Sequence, residues 1–451
     1  MTSVYAGSMK TLPQRGKFIY DVLTTNFIHQ NQLMFEQFGD FNWMEWGSDR
    51  LYNVANAEVA HDILVKKASS FYKDPGYRDQ QGGIAMVLGR GLITSDGAHW
   101  REHRKLVAPA FHAQRIHAYA ETMVDATQKL MQTWEDGAQR DVSHDMMVLT
   151  LRIVAKTLFS TEVEADINLI NRVIEQFQRI AVEQLFPSWL PTPSRIITRQ
   201  VTHKLNQRIY EMIAQRRANG GDNGDLMAML LLSTDEDGNR LSDLDVRDEA
   251  VTLILAGHET TSNTLSWTFK LLAEHPEVEA RLHAELDAVL GGRVPTLADL
   301  RQLTYTNMVL KEAMRLYPAA WVIGRQALED VEIQGEVIPK GAILNIYTYF
   351  IQRNEKYWDN PTRFDPERFS PENEGRINKW AYIPFSTGPR VCVGNSFAMM
   401  EAQLLLATIA SRFQLSLPTG HSVELNPLVT LNPKGGLPMI LKERQPILQP
   451  S

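Results

Sequence analysis

The sequence predicts a mainly α-helical protein with a minor β-sheet, and three observations predict it. Apolar residues recur at three- and four-residue spacing over long stretches. One helical pattern continues for roughly 30 residues, about 45 Å at about 1.5 Å per residue. Strand-like segments are few, short and late in the chain.

Taken in order, the first clear helices are His117–Asp136 (HAYAETMVDATQKLMQTWED) and Ala165–Phe186 (ADINLINRVIEQFQRIAVEQLF). Three prolines in Leu185–Arg195 (LFPSWLPTPSR) break that pattern and predict a surface loop. Arg217–Asp225 (RANGGDNGD) has a linker's composition, but so short a stretch between two helical patterns predicts a loop rather than a domain boundary. The long helix starts near Ser242 or Asp243, either of which can cap it, and stops at Glu274 before His275-Pro276. A helix of that length crosses the interior of a large domain. Val331–Pro339 (VEIQGEVIP) reads as a hairpin turning at Gln334-Gly335, and Ala342–Phe350 (AILNIYTYF) as a following strand. No internal repeat or low-complexity segment interrupts this order, so residues 1–451 are read as a single domain.

Composition excludes several classes of function. With 451 residues, 44% of them hydrophobic, the chain can bury a large core. A net charge of −7 argues against nucleic acid or an anionic membrane as partner. No stretch approaches the about 18 consecutive apolar residues of a membrane span. The only cysteine, Cys392, can form neither an internal disulfide nor a multi-thiolate zinc site, which fits a reducing cytoplasm.

Two segments carry chemistry. The middle of the long helix, Leu253–Leu265 (LILAGHETTSNTL), contains Gly257, which costs about 1 kcal/mol relative to alanine in a helix interior. It also contains Glu259, whose carboxylate needs a partner if buried. The segment is either a solvated turn of a surface helix or a polar notch in a buried one. In a notch, Glu259 and Thr260 hand protons to something bound beside the missing side chain. The second segment is Pro384–Ala398 (PFSTGPRVCVGNSFA), which surrounds Cys392. A lone cysteine is most often a small buried hydrophobe. Here Gly388 and Gly394 flank it and permit a tight turn with exposed amides. Arg390 adds positive charge, and an apolar helix opens directly after Gly394. These features favour a thiolate. A thiolate serves either as a nucleophile beside a histidine base or as a metal ligand, haem iron included. None of the 12 histidines is near Cys392 in sequence, and spacing alone leaves both uses open.

Phe385–Gly394 (FSTGPRVCVG) resembles the haem-binding loop of the cytochrome P-450 haem-thiolate monooxygenases, Phe-x-x-Gly-x-Arg-x-Cys-x-Gly. It matches at Phe385, Gly388, Arg390, Cys392 and Gly394. Three further motifs follow in the family's order. Ala256–Thr261 (AGHETT) is similar to the oxygen-activation segment of the central helix. Lys311–Pro318 (KEAMRLYP) contains the Glu-x-x-Arg pair as Glu312 and Arg315, and Phe364–Phe369 (FDPERF) resembles the segment that brings Arg368 to that pair. Alone, a Glu/Arg pair at i,i+3 is worth a few tenths of a kcal/mol on any helix; it is the four motifs in order that carry the resemblance. They span roughly Trp100 to Gly435, and the first 90 residues share it only weakly.

The resemblance implies the cytochrome P-450 fold, with haem b between the long central helix and the helix after the cysteine loop. Cys392 would be the axial iron ligand, in a loop completed by Phe385 and Gly394. Arg390, Trp100 and Arg104 of HWREHRK (His99–Lys105), and Arg325 would hold the propionates. Glu312, Arg315 and Arg368 would form a buried structural network. Glu259 and Thr260 would deliver the protons that reduction of O2 requires. Members that run on peroxide replace this pair, so its presence implies use of O2 and external electrons. With no flavin or iron–sulfur domain expected, a ferredoxin or flavodoxin-type donor with its reductase would supply them. Ile93, Ala256, Ala320, Val322, Val429 and Thr430 match pocket-lining segments, which implies a lipophilic substrate such as a fatty acid or terpenoid. The expectation is a cytoplasmic, monomeric monooxygenase without nucleic-acid partners. Two other readings remain at this point. One is a haem protein of this fold that binds a gas or ligand without turnover, against which Glu259-Thr260 stands. The other is a haem-free cysteine hydrolase.

Overall fold

A computed structural model gives the architecture and describes residues 4–9, 13, 14, 16, 17, 20, 21, 26–112, 116–161, 166–184, 186–219, 225–234, 238 and 240–445. The helices that position the site are α1 (Gly97–Val107), α2 (Ala120–Met131), α3 (Val142–Phe159), α4 (Ile167–Glu183), α5 (Pro193–Asn219), α6 (Asp243–Glu274), α7 (Pro276–Leu290), α8 (Thr304–Leu316) and α9 (Asn395–Arg412). Among the described residues, none is long and apolar enough to cross a membrane.

Helix α6 is the long helix predicted from sequence, with the bounds its end signals indicate. The Ser242 hydroxyl accepts from the Asp245 N–H at 3.1 Å, and Asp243 and Asp245 sit in the positively polarised first turn. Pro276 cannot continue the helix and opens α7 instead. From Val246 to Leu272 every residue of α6 is buried except Ala256, Gly257 and Thr260. Those three share one face at the i, i+1 and i+4 positions, so the segment is a window in a buried helix and not a surface turn. Gly257 serves a second purpose besides lining a cavity. A Cβ there would lie 3.2 Å from Val154 of α3, so the missing side chain permits close packing of α6 on α3.

The sheet corrects the sequence reading. Its six strands run in the order β1 (Val4–Met9), β2 (Phe41–Trp46), β3 (Asp49–Val54), β8 (Ile343–Ile346), β5 (Ile323–Ala327), β4 (Phe71–Tyr72). Most of these strands lie early in the chain, where none was expected. The β2–β3 hairpin turns at Gly47, whose φ of 64° suits glycine. Its strands bury residues in short runs rather than in alternation, so no period-2 signal marks them. Between β5 and β8, β6 (Val331–Ile333) and β7 (Glu336–Ile338) form the predicted hairpin. Its turn residues Gln334 and Gly335 have φ of 52° and 83°, as a two-residue I′ turn demands. The strand expected over Ala342–Phe350 ends at Ile346, because its two neighbours stop pairing at that residue; Thr348–Ile351 is helical.

The loop expected at Leu185–Arg195 ends at Thr192, since Pro193 is the first residue of α5. Arg195 lies in α5 and is buried. It donates to the carbonyls of Glu183 and Leu190, both at 2.8 Å, which winds the loop around one cation. Helix α5 continues to Asn219, so the loop expected at 217–225 begins later, and residues 220–224 lie outside those described.

Behind the cysteine loop, Glu312 and Arg315 of α8 are fully buried. Arg315 reaches the Glu312 carboxylate through Nε at 2.6 Å and Nη2 at 2.8 Å. Its other protons go to the carbonyls of Gln352 at 2.8 Å, Pro361 at 2.7 Å and Arg363 at 3.1 Å. Glu312 also accepts from the Asp365 N–H at 2.9 Å and Arg368 Nε at 3.3 Å. The network thereby fastens the meander before Cys392 to α8. Glu312→Ala leaves the Arg315 charge buried and unpaired, which costs about 3–5 kcal/mol. The expected outcome is a sharp loss of folded, haem-loaded protein, read as the haem-to-protein absorbance ratio after purification; a full haem complement at normal yield contradicts it.

Candidate active site

The window in α6 opens onto a cavity of about 510 Å³. Cys392 stands on its opposite wall, in a loop held by a hydrogen bond from the Cys392 N–H to the Phe385 carbonyl at 2.9 Å. Gly388 has φ of 68°, and a Cβ there would meet the Leu64 carbonyl oxygen at 2.2 Å, so only glycine fits. Gly394 is not constrained in this way. Its φ is −94°, and an added Cβ would make ordinary contact with Phe111 at 3.5 Å. Its value lies in its amide, which donates toward the cysteine sulfur.

The Cys392 sulfur opens onto the cavity with dense protein around it. Burial pushes the thiol up, and the Gly394 N–H and the Arg104 charge pull it back only in part. Two expectations change here. The cation that acts on the sulfur is Arg104 rather than Arg390, and the loop alone does not make a thiolate. A metal ion held there would complete the deprotonation, since a coordinating thiol loses its proton.

One rim of the cavity is cationic. Arg104, Arg325 and Arg390 line it with Trp100, as does Lys73, which the sequence reading missed. Arg390 stacks over the Trp100 ring at 4.0 Å, donates to the Ser95 carbonyl at 2.8 Å and pairs with Asp96. Burial pushes Arg390 down to about 10, with Arg325 and Arg104 adding repulsion. Burial also pushes Lys73 well down, helped by the charges of Arg325 and Arg390. These cations face only two nearby carboxylates, Asp74 and Asp96, a surplus that a dianionic ligand relieves. No sequence pattern marks Lys73; it joins the group through the turn before Asp74-Pro75.

Haem b requires a sulfur on one face, cations at its two propionates and apolar walls. The residues present fit that group: Cys392, the rim of Lys73, Arg104, Arg325 and Arg390, and walls that include Leu92, Phe111, Leu253, Phe385 and Phe397. Ile93, Ala256, Ala320, Val322, Val429 and Thr430, the residues matched to pocket segments, all line the same cavity. Among the described residues no histidine does, which leaves Cys392 without the base a hydrolase needs.

On the α6 side, the Thr260 hydroxyl donates to the Ala256 carbonyl at 2.9 Å and faces the cavity. Glu259 is buried and accepts from the Thr430 hydroxyl at 2.7 Å. Thr430 in turn accepts from Gln178 Nε2 at 2.8 Å and Asn263 Nδ2 at 3.0 Å. It belongs to the turn between β9 (Leu425–Pro427) and β10 (Leu431–Pro433), and Gln178 to α4. Burial pushes the Glu259 carboxyl up to about 7, against the Thr430 bond. Its neighbour His258 is pushed down to about 4 by burial and stays neutral, bonded at 2.7 Å to the Ile254 carbonyl. Glu401 of α9 is a second buried acid, pushed up to about 8 by burial with only the Thr261 side chain pulling it back.

Comparison with known proteins agrees with this geometry. The family model described as Cytochrome P450 matches residues 12–438, so the likeness takes in β2 to β4 and runs beyond the span its motifs mark. Cyclooctatin synthase of Streptomyces melanosporofaciens is 36% identical over 414 residues, covering 90% of this chain and 89% of that protein. Pentalenene oxygenase of Streptomyces avermitilis is 33% identical, covering 90% of this chain and 91% of its own. Leukotriene-B4 omega-hydroxylase 3 of Mus musculus is 34% identical, covering 85% and 79%. The crystal structure of the cytochrome P450DA heme domain superposes with a TM-score of 0.87 at 27% identity, covering 100% of both chains. These likenesses define a class, the haem-dependent oxidoreductases with a thiolate ligand. The chain belongs to the cytochrome P450 family and is a haem b monooxygenase.

Glu401 gives a prediction with a definite sign. Its folded pKa, about 8, stands above the ordinary value of 4.5, so the folded chain keeps a proton that the unfolded chain releases between those limits. The stability contributed is fully present below 4.5 and is lost as pH rises to about 8. Glu401→Gln removes the slope, at most about 1.4 kcal/mol per pH unit. Denaturant titrations across this range are expected to show the variant gaining on wild type as pH rises. Parallel stability profiles for the two proteins contradict the assignment.

Proposed function

We propose that this protein hydroxylates a lipophilic small molecule, terpenoid or fatty-acid-like, in the cytoplasm. Electrons come from a ferredoxin or flavodoxin-type donor with its own reductase. The observation that carries the reading is the cavity itself: Cys392 on one wall, Thr260 on the other, and mainly apolar side chains between them. The printed names of relatives support it, since a cyclooctatin synthase, a pentalenene oxygenase and a leukotriene-B4 omega-hydroxylase are among them. The chain is read as one domain, acting as a monomer.

The bound haem supplies reductive activation of O2, with incorporation of one oxygen atom into substrate. Each residue's part follows from its chemistry. Cys392 would hold the iron as thiolate and supply it with electron density. Lys73, Arg104, Arg325 and Arg390, with Trp100, hold the propionates by charge-assisted hydrogen bonds. The Thr260 hydroxyl exchanges its Ala256 acceptor for the oxygen-bearing side of the cavity and passes protons there. Glu259, with a pKa near 7, resupplies them close to the ideal balance of donor and acceptor. Ile93, Ala256, Ala320, Val322, Val429 and Thr430 surround the substrate and keep water away.

The test is a screen of terpenes, terpenoid alcohols and fatty acids for substrate-induced shifts of the haem spectrum, followed by turnover with surrogate redox proteins. At least one class is expected to give a shift and an oxygenated product dependent on reduced nicotinamide. Tight binding without oxygenation across all classes would overturn the proposal.

Thr260→Ala is expected to uncouple the enzyme and leave haem binding intact. Loss of a positioned proton donor slows the assisted step by about 10²–10⁴-fold. Reduced nicotinamide is then consumed with less product and more hydrogen peroxide, while ferric binding of an apolar substrate scarcely changes. An unchanged ratio of product to nicotinamide would remove Thr260 from the proton path.

A further inference from the structure

Helix α1 uses two adjacent stripes at i,i+4 spacing. Trp100 and Arg104 face the cavity, while His99 and His103 face the first turns of α6. The two imidazoles lie with ring centroids 3.9 Å apart. A ring nitrogen of each and a carboxylate oxygen of Asp245 lie within 4.8 Å of one another. No role in haem binding or oxygen chemistry accounts for this group.

Each member is already oriented by a second partner. His103 Nδ1 is 2.8 Å from Glu249 Oε1, and a carboxylate only accepts, so Nδ1 carries a proton and Nε2 is the nitrogen left to take a metal, which displaces any proton there. That Nε2 is 3.9 Å from Asp245 Oδ1. His99 Nε2 is 3.0 Å from the Arg90 carbonyl, which likewise only accepts, so its Nδ1 lone pair is free. The other Asp245 oxygen, Oδ2, accepts from the Ser242 hydroxyl at 2.5 Å. Glu249 is fully buried and is held in turn by the Leu92 N–H at 3.2 Å. A histidine whose far nitrogen donates to a carboxylate, beside a second histidine and an acid, is the supporting arrangement of protein metal sites.

We propose that His99, His103 and Asp245 bind one divalent cation of the borderline class, Zn²⁺ in the first instance, with Glu249, the Arg90 carbonyl and Ser242 as the outer shell. His99 and Asp245 are partly exposed, which gives the ion an entry path and room for water as fourth ligand. The two-nitrogen, one-oxygen donor set suits Zn²⁺, Ni²⁺ or Cu²⁺ and discriminates against Mg²⁺ and Ca²⁺. The bound ion clamps α1 to the N-terminal end of α6, and so fixes from behind the helix that presents Trp100 and Arg104.

The test uses tag-free, haem-loaded protein stripped with chelator and titrated with Zn²⁺ calorimetrically, with Mg²⁺ as the control. Wild type is expected to take up one equivalent of Zn²⁺ with affinity at least tenfold above His99→Ala and Asp245→Asn, and none of comparable affinity for Mg²⁺. Zn²⁺ is also expected to raise the melting temperature of wild type and not of His99→Ala. His103→Ala is unsuited as the deciding variant because it leaves Glu249 buried without its partner. His99 touches no buried acid, so its variant keeps the question open to a clear answer. Equal Zn²⁺ affinity in wild type and His99→Ala, or no stoichiometric uptake by wild type, overturns the site.

Discussion

A cysteine sulfur has to carry negative charge inside a protein, and the arrangement around Cys392 follows from that demand. Burial raises the thiol pKa, and what opposes it in the fold is small: one amide from Gly394 and the distant charge of Arg104. The loop is therefore a holder for a ligand whose ionisation the metal completes. Its geometry costs backbone strain at Ser386, whose φ is 59°, while Gly388 adopts its φ of 68° freely. That shape persists because the segments around it are fixed. The Glu312–Arg315–Arg368 network anchors the chain ahead of the loop, and α9 continues directly from it.

Three buried carboxyls near the long helix show how local partners set protonation. Glu312 has two arginines and a backbone amide, and it works as a charged structural joint. Glu259 has a hydroxyl donor and no cation, so its pKa rises to about 7. Glu401, with only Thr261 opposing burial, rises to about 8. Burial raises all three carboxyls, and what opposes it differs, from guanidinium and backbone amide at Glu312 to a lone hydroxyl at Glu259 and Glu401. Of the three, the acid beside the cavity window is the one poised to exchange protons near neutral pH.

What the sequence makes legible is whatever depends on local chemistry. Each end signal of α6 acts within a few residues of its own position, so Ser242 and Pro276 bound it correctly. The Gln334-Gly335 turn is equally local. The cysteine loop and the residues lining the cavity were reached through motifs, and the structure brings them together. Long-range facts were not legible. Lys73 reaches the cationic rim from a segment without pattern, and Gln178, Thr430 and Glu259 form one hydrogen-bonded chain from elements far apart in the sequence. The early strands escaped because strands buried in short runs lack alternation. Gly257 was only half legible: it lines the cavity as expected, but its packing against Val154 depends on another helix.

Thr430 links recognition to proton supply. Its side chain lines the cavity at the turn between β9 and β10, and its hydroxyl is the hydrogen-bond donor to Glu259. Gln178 of α4 and Asn263 of α6 donate to the same oxygen, so the position of the turn is set jointly by two helices. A substrate that presses on this turn must either keep the Thr430–Glu259 bond or break it. Losing a hydrogen bond to the carboxylate raises the pKa of a buried acid further and makes it a weaker proton donor. The cavity wall and the acid beside Thr260 therefore share one residue, and a guest that leaves Thr430 in place also leaves the acid near neutral pKa.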